Sequence, residues 1–377
     1  MNMKSLLAYF FVFSLFITRS SAQVGGSFVF DGINRSYIVY APGSYVPGSS
    51  LPLVFVLHGF TQSAQNIMDV SGFNQVADTG NFIVVYPNGV GNAWNTNSGM
   101  TGGSTADDIG FISALTDTIF SQYGVDTTRV YSCGFSAGGY MSHRLACESP
   151  RCYAAIASVA GTMSTAAYSA CIPSRPVPVL QIHGTADAVV SYNGGVGGVG
   201  VDDVITKWTT IDICPATPYV VQLPNTNIFD ASTVESSLYG PCSSNTEVKL
   251  LKVVGGGHQW PGTTALLGGL GTINRDINAS GEIWSFFRNK TCNTISTYVM
   301  EHETEKIIIL PQGDGLVQLS TSSGQVLSYS LFDLNGRLLI SGETSSGGLV
   351  DVSGISHGCY LMTTRTEHGF LSQRMIR

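Results

Sequence analysis

The stretch Val130-Tyr131-Ser132-Cys133-Gly134-Phe135-Ser136-Ala137-Gly138-Gly139-Tyr140 joins an apolar run to the start of a helical pattern. Its centre has the spacing Gly-x-Ser-x-Gly, which predicts that Ser136 stands at the tip of a sharp strand-to-helix turn. A Cβ at Gly134 or Gly138 would crowd that strained turn. The helix N-terminus below the serine, with the amide of Ala137, could hold a developing oxyanion. A plain glycine-rich turn is the alternative, and the flanking strand and helix patterns argue against it.

Apolar runs recur along the first 290 residues and alternate with segments of helical periodicity. The runs cover residues 53–57, 82–86, 130–133, 154–159, 177–182 and 250–254. Unbroken apolar strands suit a parallel sheet that is buried on both faces. Their alternation with helices therefore predicts the α/β class, with an open, mostly parallel sheet covered by helices. A hairpin around Asp31-Gly32 is expected before the first of these strands.

A serine nucleophile needs a histidine that takes its proton and an acid that orients the histidine. If the three catalytic residues follow one another along the chain in the order Ser, Asp, His, the expected base is His258. This histidine comes directly after a predicted sheet strand, on a loop with three preceding glycines. Asp187 follows the apolar run 177–182, so it falls on a loop at the carboxyl edge of the sheet. The alternatives are a surface histidine and a loop-capping aspartate. His183 is expected to be structural, with its ring bonded to local backbone.

The loop after the first sheet strand, residues 58–62, should supply a second oxyanion amide. Gly59 would permit a close backbone approach. The amide of Phe60 is the expected donor, and the amide of Thr61 is the alternative. His58 is expected to brace this loop rather than to react.

Composition and the N-terminus indicate an exported globular protein. The chain has 377 residues, a net charge of −7 and 11% charged residues, which argues against a nucleic-acid partner. Residues 1–22 combine a basic start, an apolar run and a small-residue cleavage site, the pattern of a signal peptide. No transmembrane segment is expected. The protein is therefore expected to be secreted, either released or attached to the cell surface.

The eight cysteines fit an oxidising compartment and predict disulfides. Cys214 and Cys242 bracket one insertion and are the first expected pair. One further bond is expected within the group Cys147, Cys152 and Cys171, with its partners left open. No cysteines have the twin Cys-x-x-Cys spacing of a zinc site, so no metal is expected.

The pattern changes near residue 291. Short alternating strands follow, including a hairpin in which 329–332 and 337–340 flank the turn Asn335-Gly336. The chain is thus expected to contain a signal peptide at 1–22, a catalytic domain at 23–291, and a linker with a small sandwich-like β module at 292–377.

Several motifs, in this order, resemble one family. They are His58-Gly59-Phe60-Thr61-Gln62, Tyr86-Pro87-Asn88-Gly89, Asp107-Asp108-Ile109-Gly110-Phe111-Ile112, Gly134-Phe135-Ser136-Ala137-Gly138-Gly139, His183-Gly184-Thr185-Ala186-Asp187 and Gly257-His258-Gln259-Trp260-Pro261-Gly262. Residues 25–290 are similar to the secreted α/β hydrolases of the polyhydroxybutyrate depolymerase and feruloyl or acetylxylan esterase family. The resemblance implies an α/β-hydrolase fold and a mechanism without cofactor.

The resemblance also implies roles for individual residues. Ser136, Asp187 and His258 would be nucleophile, orienting acid and base, and the amides of Phe60 and Ala137 would form the oxyanion hole. The expected substrate contacts are Thr61, Trp94 and Trp260, and a core role is the alternative for both tryptophans. Two departures from the family pattern, Phe60 and Gln259, touch the expected pocket wall.

Asp107 and Asp108 could suggest a catalytic or metal site. The sequence Thr105-Ala106-Asp107-Asp108 ahead of an apolar helix face is better explained as a capping box.

The terminal module resembles the C-terminal sorting domain of proteins exported by the type 9 secretion system. The residues that carry the resemblance lie at 331–337, 357–361 and 373–377. This implies the outer-membrane secretion machinery as a partner. A small carbohydrate-binding β domain is the alternative.

The sequence therefore predicts a secreted serine esterase that acts on a polymeric or small ester, either a polyhydroxybutyrate-type polyester or the feruloyl or acetyl esters of plant polysaccharide. Other possibilities on the same fold are an aryl-polyester hydrolase and a serine peptidase. In a different class, the chain could be a catalytically silent polymer-binding adhesin.

Overall fold

The computed structural model divides the chain into two compact units at the boundary between Cys292 and Asn293. The described residues are 22–98, 102–195, 197–265 and 268–292 in the first unit, and 307–313, 316–321, 327–333, 337–345, 347–356, 359–366 and 369–376 in the second. The expected signal peptide lies outside these ranges up to its last residue, Ala22. Each helix within them is too short or too polar to cross a bilayer.

A ten-stranded sheet forms the centre of the first unit. Its strands are β1 (Ala22–Phe30), β2 (Ile33–Ala41), β3 (Leu53–Leu57), β4 (Ile83–Pro87), β5 (Val130–Phe135), β6 (Ala155–Val159), β7 (Val179–Gly184), β8 (Tyr219–Gln222), β9 (Thr233–Tyr239) and β10 (Val248–Val254). Their order in space is β1-β2-β4-β3-β5-β6-β7-β10-β9-β8. The central strands from β4 to β10 in this order run parallel, and the pairs at both ends are antiparallel.

Every residue of β3, β4, β5, β6 and β7 is buried. This is the reason that their sequences are unbroken apolar runs, since helices cover both faces of a parallel sheet. The expected hairpin also forms, with Asp31 and Gly32 both at positive φ in its turn. Strands β8 and β9 were not expected, because both mix polar and apolar residues and neither is fully buried; β8 is the edge strand and β9 is its neighbour.

The described part of the first unit contains seven α-helices. They are α1 (Ala64–Ser71), α2 (Phe73–Gly80), α3 (Asp108–Tyr123), α4 (Ala137–Glu148), α5 (Thr165–Ala170), α6 (Val201–Ile211) and α7 (Ala279–Phe287). One apolar cluster joins the sheet to α3, α4 and α6, and another joins it to α1, α2 and α7. The expected α/β architecture, with a mostly parallel sheet between two helical layers, is confirmed.

Disulfides tie the first unit together in its described part. The pairs are Cys147–Cys171, Cys152–Cys292 and Cys214–Cys242. The last confirms the first expected pairing, and Cys147–Cys171 identifies the bond within the group of three. The bond of Cys152 to Cys292 was not predicted, because its partners are 140 residues apart in the sequence.

The second unit is a small antiparallel β module, as expected. Its strands are β11 (Ile307–Gly313), β12 (Leu316–Thr321), β13 (Leu327–Phe332), β14 (Leu338–Thr344), β15 (Gly348–Asp351), β16 (Cys359–Thr366) and β17 (Gly369–Ile376). They form a three-stranded sheet, β11-β12-β15, and a four-stranded sheet, β14-β13-β16-β17. One apolar cluster takes Val317 and Leu319 from the first sheet and Leu331 and Met362 from the second. The expected hairpin is present as β13 and β14, and its turn Asn335-Gly336 lies outside the described residues.

Candidate active site

Ser136 stands between β5 and α4 in a conformation that few residues adopt. Its backbone has φ 54° and ψ −118°, a region that costs free energy and persists only when the surroundings enforce it. Here the Ser136 amide donates to the carbonyl of Val159 at 2.8 Å. Its carbonyl accepts the amides of Gly139 and Tyr140. These bonds hold the serine at the tip of the turn.

The two glycines around Ser136 allow the turn to lie close to the neighbouring backbone. A Cβ on Gly134 would lie 2.3 Å from the carbonyl carbon of Gly138. A Cβ on Gly138 would lie 2.2 Å from the carbonyl oxygen of Leu57, the last residue of β3. Both positions therefore require glycine, as the sequence spacing predicts.

Asp187 and His258 meet at the carboxyl edge of the sheet. The Nδ1 atom of His258 lies 2.8 Å from Oδ2 of Asp187, and both side chains are buried. The other carboxylate oxygen, Oδ1, accepts the amides of Val189 at 2.9 Å and Val190 at 2.7 Å. Because an ionised carboxylate only accepts hydrogen bonds, His258 must donate from Nδ1. This leaves Nε2 of the neutral ring as a proton acceptor.

The loop of His258 lies against the serine turn. The ring of Phe135, the residue before Ser136, packs on the imidazole of His258 with ring centroids 4.9 Å apart. The His258 amide donates to the carbonyl of Leu270 at 2.7 Å, and the Gly257 amide donates to the carbonyl of Thr272 at 2.9 Å. The structure thus brings the expected base to the segment that carries the expected nucleophile.

The loop after β3 is folded as a turn that presents the Phe60 amide. The amide of Gln62 donates to the carbonyl of Gly59 at 3.1 Å, and its side-chain Oε1 accepts the Gly59 amide at 2.9 Å. Thr61 has φ 65°, and its amide donates to the backbone carbonyl of Asn92 at 2.9 Å. The Thr61 amide is therefore occupied. The amide of Phe60 has no protein acceptor in the described part of the chain.

His58 braces this loop, as expected. Its Nε2 accepts the Gly89 amide at 2.9 Å, so its proton lies on Nδ1, which donates to the carbonyl of Gly59 at 2.7 Å. Burial lowers the pKa of His58 to about 4. The ring is therefore neutral at pH 7 and serves as a fixed link between two loops.

Trp94 and Trp260 are almost completely buried, at 2% and 1% exposure. The indole N–H of Trp94 donates to the His58 carbonyl at 2.9 Å, and that of Trp260 donates to Ser280 Oγ at 3.1 Å. Neither ring offers a free face to a ligand. This burial favours the core alternative over the predicted substrate contact for both residues.

The expected capping box at Thr105 is wrong in its details. Asp107, not Thr105, caps α3. Asp108 instead forms a buried ion pair with Arg35 at 2.6 Å and accepts the Asn95 amide at 2.7 Å. Asp108 therefore anchors the loop that carries Trp94, a role with no local signal near Asp108 because Arg35 is 73 residues away.

Comparison with known proteins places the chain in a family. The family model described as Esterase PHB depolymerase matches residues 35–202, which include Ser136 and Asp187. NocK of Nocardia uniformis subsp. tsuyamanensis, assigned as an esterase, is 32% identical over 251 residues, covering 62% of this chain and 72% of NocK. The chain belongs to the PHB depolymerase family of esterases. The expected resemblance is thereby confirmed for the first unit.

Two other relatives of this esterase-family chain are longer proteins. The bifunctional acetylxylan esterase/xylanase XynS20E of Neocallimastix patriciarum is 31% identical over 234 residues, 60% of this chain and 31% of that protein. Feruloyl esterase B of Piromyces equi is 30% identical over 239 residues, 59% of this chain and 42% of that protein. The chain thus spans less than half the length of these two relatives.

Proposed function

We propose that the protein is a serine esterase that works through an acyl-enzyme. Ser136 attacks the ester carbonyl while Nε2 of His258 takes its proton, and His258 then returns that proton to the leaving alcohol. Water releases the acyl group by the same route. The observation that carries the proposal is the buried hydrogen bond between His258 Nδ1 and Asp187 Oδ2.

Asp187 is suited to stabilise the imidazolium that forms during proton transfer. Two backbone amides fix its Oδ1, so its Oδ2 has one orientation, toward His258. Because the pair is buried, the attraction between carboxylate and imidazolium is less screened than at the surface.

The amides of Phe60 and Ala137 are the proposed oxyanion donors. The Phe60 amide meets no protein acceptor in the described residues. Ala137 is the first residue of α4, where amides lack partners within the helix. One such donor contributes roughly 10²- to 10³-fold to kcat in serine hydrolases.

The proposed substrates are acyl esters of plant polysaccharide. Two relatives are named acetylxylan esterase/xylanase and feruloyl esterase, and these names support acetyl and feruloyl groups. The description of the matching family model supports a polyhydroxybutyrate-type polyester as the second candidate. Methyl ferulate, acetylated xylan and polyhydroxybutyrate assayed side by side will rank the candidates by kcat/KM.

The Ser136→Ala variant tests the mechanism. We expect it to lose roughly 10³-fold or more in kcat and to lose labelling by a fluorophosphonate probe. Ser169→Ala, at an exposed position of α5, is the matched control and should keep both. Hydrolysis of p-nitrophenyl acetate by Ser136→Ala at the wild-type rate would remove this serine from the mechanism. A wild-type protein that neither labels nor hydrolyses an ester would favour the silent adhesin.

Export is part of the proposal. The signal-peptide pattern at residues 1–22 and the disulfides of the first unit support an extracytoplasmic location. The second unit would deliver the protein to the outer-membrane secretion machinery. Fractionation of a type 9-competent host that expresses the full chain or a chain ending at residue 292 tests this, since only the full chain should reach the medium or the cell surface.

A further inference from the structure

A line of buried polar side chains runs from α6 to the strand that precedes Asp187. The indole N–H of Trp208 donates to His143 Nδ1 at 3.1 Å, and Nε2 of His143 lies 3.2 Å from Gln181 Oε1. The side-chain nitrogen of Gln181 lies 2.6 Å from the carbonyl of Gly161 and 3.3 Å from Nδ1 of His183. Trp208, His143, Gln181 and His183 are each at most 1% exposed.

Every proton in this line has a fixed place. An indole N–H only donates, so His143 accepts at Nδ1 and donates from Nε2 to the Gln181 oxygen. The Gln181 amide group must then donate to Nδ1 of His183, whose own proton therefore lies on Nε2. Burial lowers the pKa of His143 to about 4 and also lowers the pKa of His183, so both rings are neutral at pH 7.

The last donor of the line acts on the loop that holds Asp187. Nε2 of His183 donates to the carbonyl of Val190 at 2.8 Å. The amide of the same residue, Val190, donates to Asp187 Oδ1 at 2.7 Å. His183 Nε2 also lies 3.4 Å from Asp187 Oδ2, the oxygen that faces His258. His183 thus binds the residue whose amide orients the carboxylate, and it also occupies the space beside the second carboxylate oxygen.

We propose that His183 is a positioning residue for Asp187, and that its Nε2–H donor holds the carboxylate in the orientation that His258 needs. This inference rests on the proposed esterase mechanism. Gln181 contributes by fixing the tautomer of His183, because an amide donor at Nδ1 leaves the ring proton on Nε2. Without the donor, the partly buried Val190 carbonyl would lose its hydrogen-bond partner, and the loop would turn to satisfy it.

Two substitutions with side chains of equal length test the role of the Nε2–H donor of His183. His183→Gln places an amide N–H near the position of Nε2, whereas His183→Met fills similar volume with an apolar chain that adapts to a core. We expect His183→Gln to keep kcat within about threefold of wild type. We expect His183→Met to lose roughly 10- to 100-fold in kcat with KM little changed, the size of loss that follows a small misplacement of a catalytic group.

Two further readouts separate positioning from folding. The urea midpoint, followed by tryptophan fluorescence, should be similar for both variants. The low-field proton resonance of His258 Nδ1–H should persist in His183→Gln and broaden in His183→Met, whatever the catalytic rate. Equal kcat in the two variants, or a His183→Met protein that does not fold, would overturn the inference. A wild-type protein that shows this resonance but hydrolyses no ester would instead refute the proposed function.

Discussion

Two disulfides of the first unit close loops of very different length, and this predicts a difference in stability. The Cys152–Cys292 bond spans 140 residues, and the Cys147–Cys171 bond spans 24. The proposed perturbation replaces both cysteines of one bond with alanine, in two separate double variants. Each variant removes one covalent link from the same unit, so each serves as the control for the other.

The expected losses follow from the entropy of the unfolded chain. In the loop-closure treatment, a cross-link lowers that entropy in proportion to the logarithm of the loop length. At 25 °C this gives about 5 kcal/mol for the 140-residue loop and about 3.4 kcal/mol for the 24-residue loop. The Cys152→Ala/Cys292→Ala variant should therefore be less stable than the Cys147→Ala/Cys171→Ala variant by about 1.6 kcal/mol.

The assay is equilibrium unfolding in urea, followed by tryptophan fluorescence. All four tryptophans lie in the first unit, at positions 94, 208, 260 and 284, so the signal reports that unit alone. A loss of about 5 kcal/mol approaches the whole stability of many domains, so the measurement should begin at low temperature. Equal losses in the two variants, or a larger loss for the shorter loop, would refute the loop-entropy reasoning.

Substitution of the adjacent residues Asp107 and Asp108 should lower the free energy of unfolding by different amounts. Asp107→Ala removes a helix cap and should cost about 1 kcal/mol. Asp108→Ala leaves the buried Arg35 without its ionic partner and should cost about 3–5 kcal/mol. Urea unfolding of both variants checks the order, and similar losses would contradict it. Burial raises the pKa of Asp212 to about 7, above the value of about 4 in an unfolded chain. Between these two pH values the Asp212 carboxyl is protonated in the folded state and ionised in the unfolded state. The stability that this proton contributes is lost as the pH rises through 7. Wild type should lose stability relative to Asp212→Asn between about pH 4 and pH 7, and a difference that does not change with pH would contradict this account.

The central sheet could be predicted because burial on both faces leaves a direct mark on the sequence. The runs at 53–57 and 130–133 became fully buried parallel strands. The turn at Ser136 could be predicted because the neighbouring backbones lie too close for any residue other than glycine on either side of the serine. The edge strand β8 leaves no such mark, since its residues are mostly exposed and free to vary, and its neighbour β9 is only partly buried.

The parts of the site that sequence missed depend on contacts between distant residues. The pairing of Arg35 with Asp108 joins β2 to α3, and nothing near either residue indicates its partner. The line of polar groups through Gln181 likewise needs side chains from α4, α6 and β7. For Trp94 the family resemblance implies a substrate contact, whereas its side chain is 2% exposed in the fold, which favours the core alternative.

The bond between Cys152 and Cys292 has a mechanical consequence. Cys292 is the last residue of the first unit, and Cys152 lies just ahead of β6 in the middle of the sheet. A tension applied through the second unit would enter at Cys292 and pass by a covalent route into the sheet, without peeling α7 away. A protease that cleaved the chain after Cys292 would likewise leave a new C-terminus that is still held to the sheet by the Cys152–Cys292 bond.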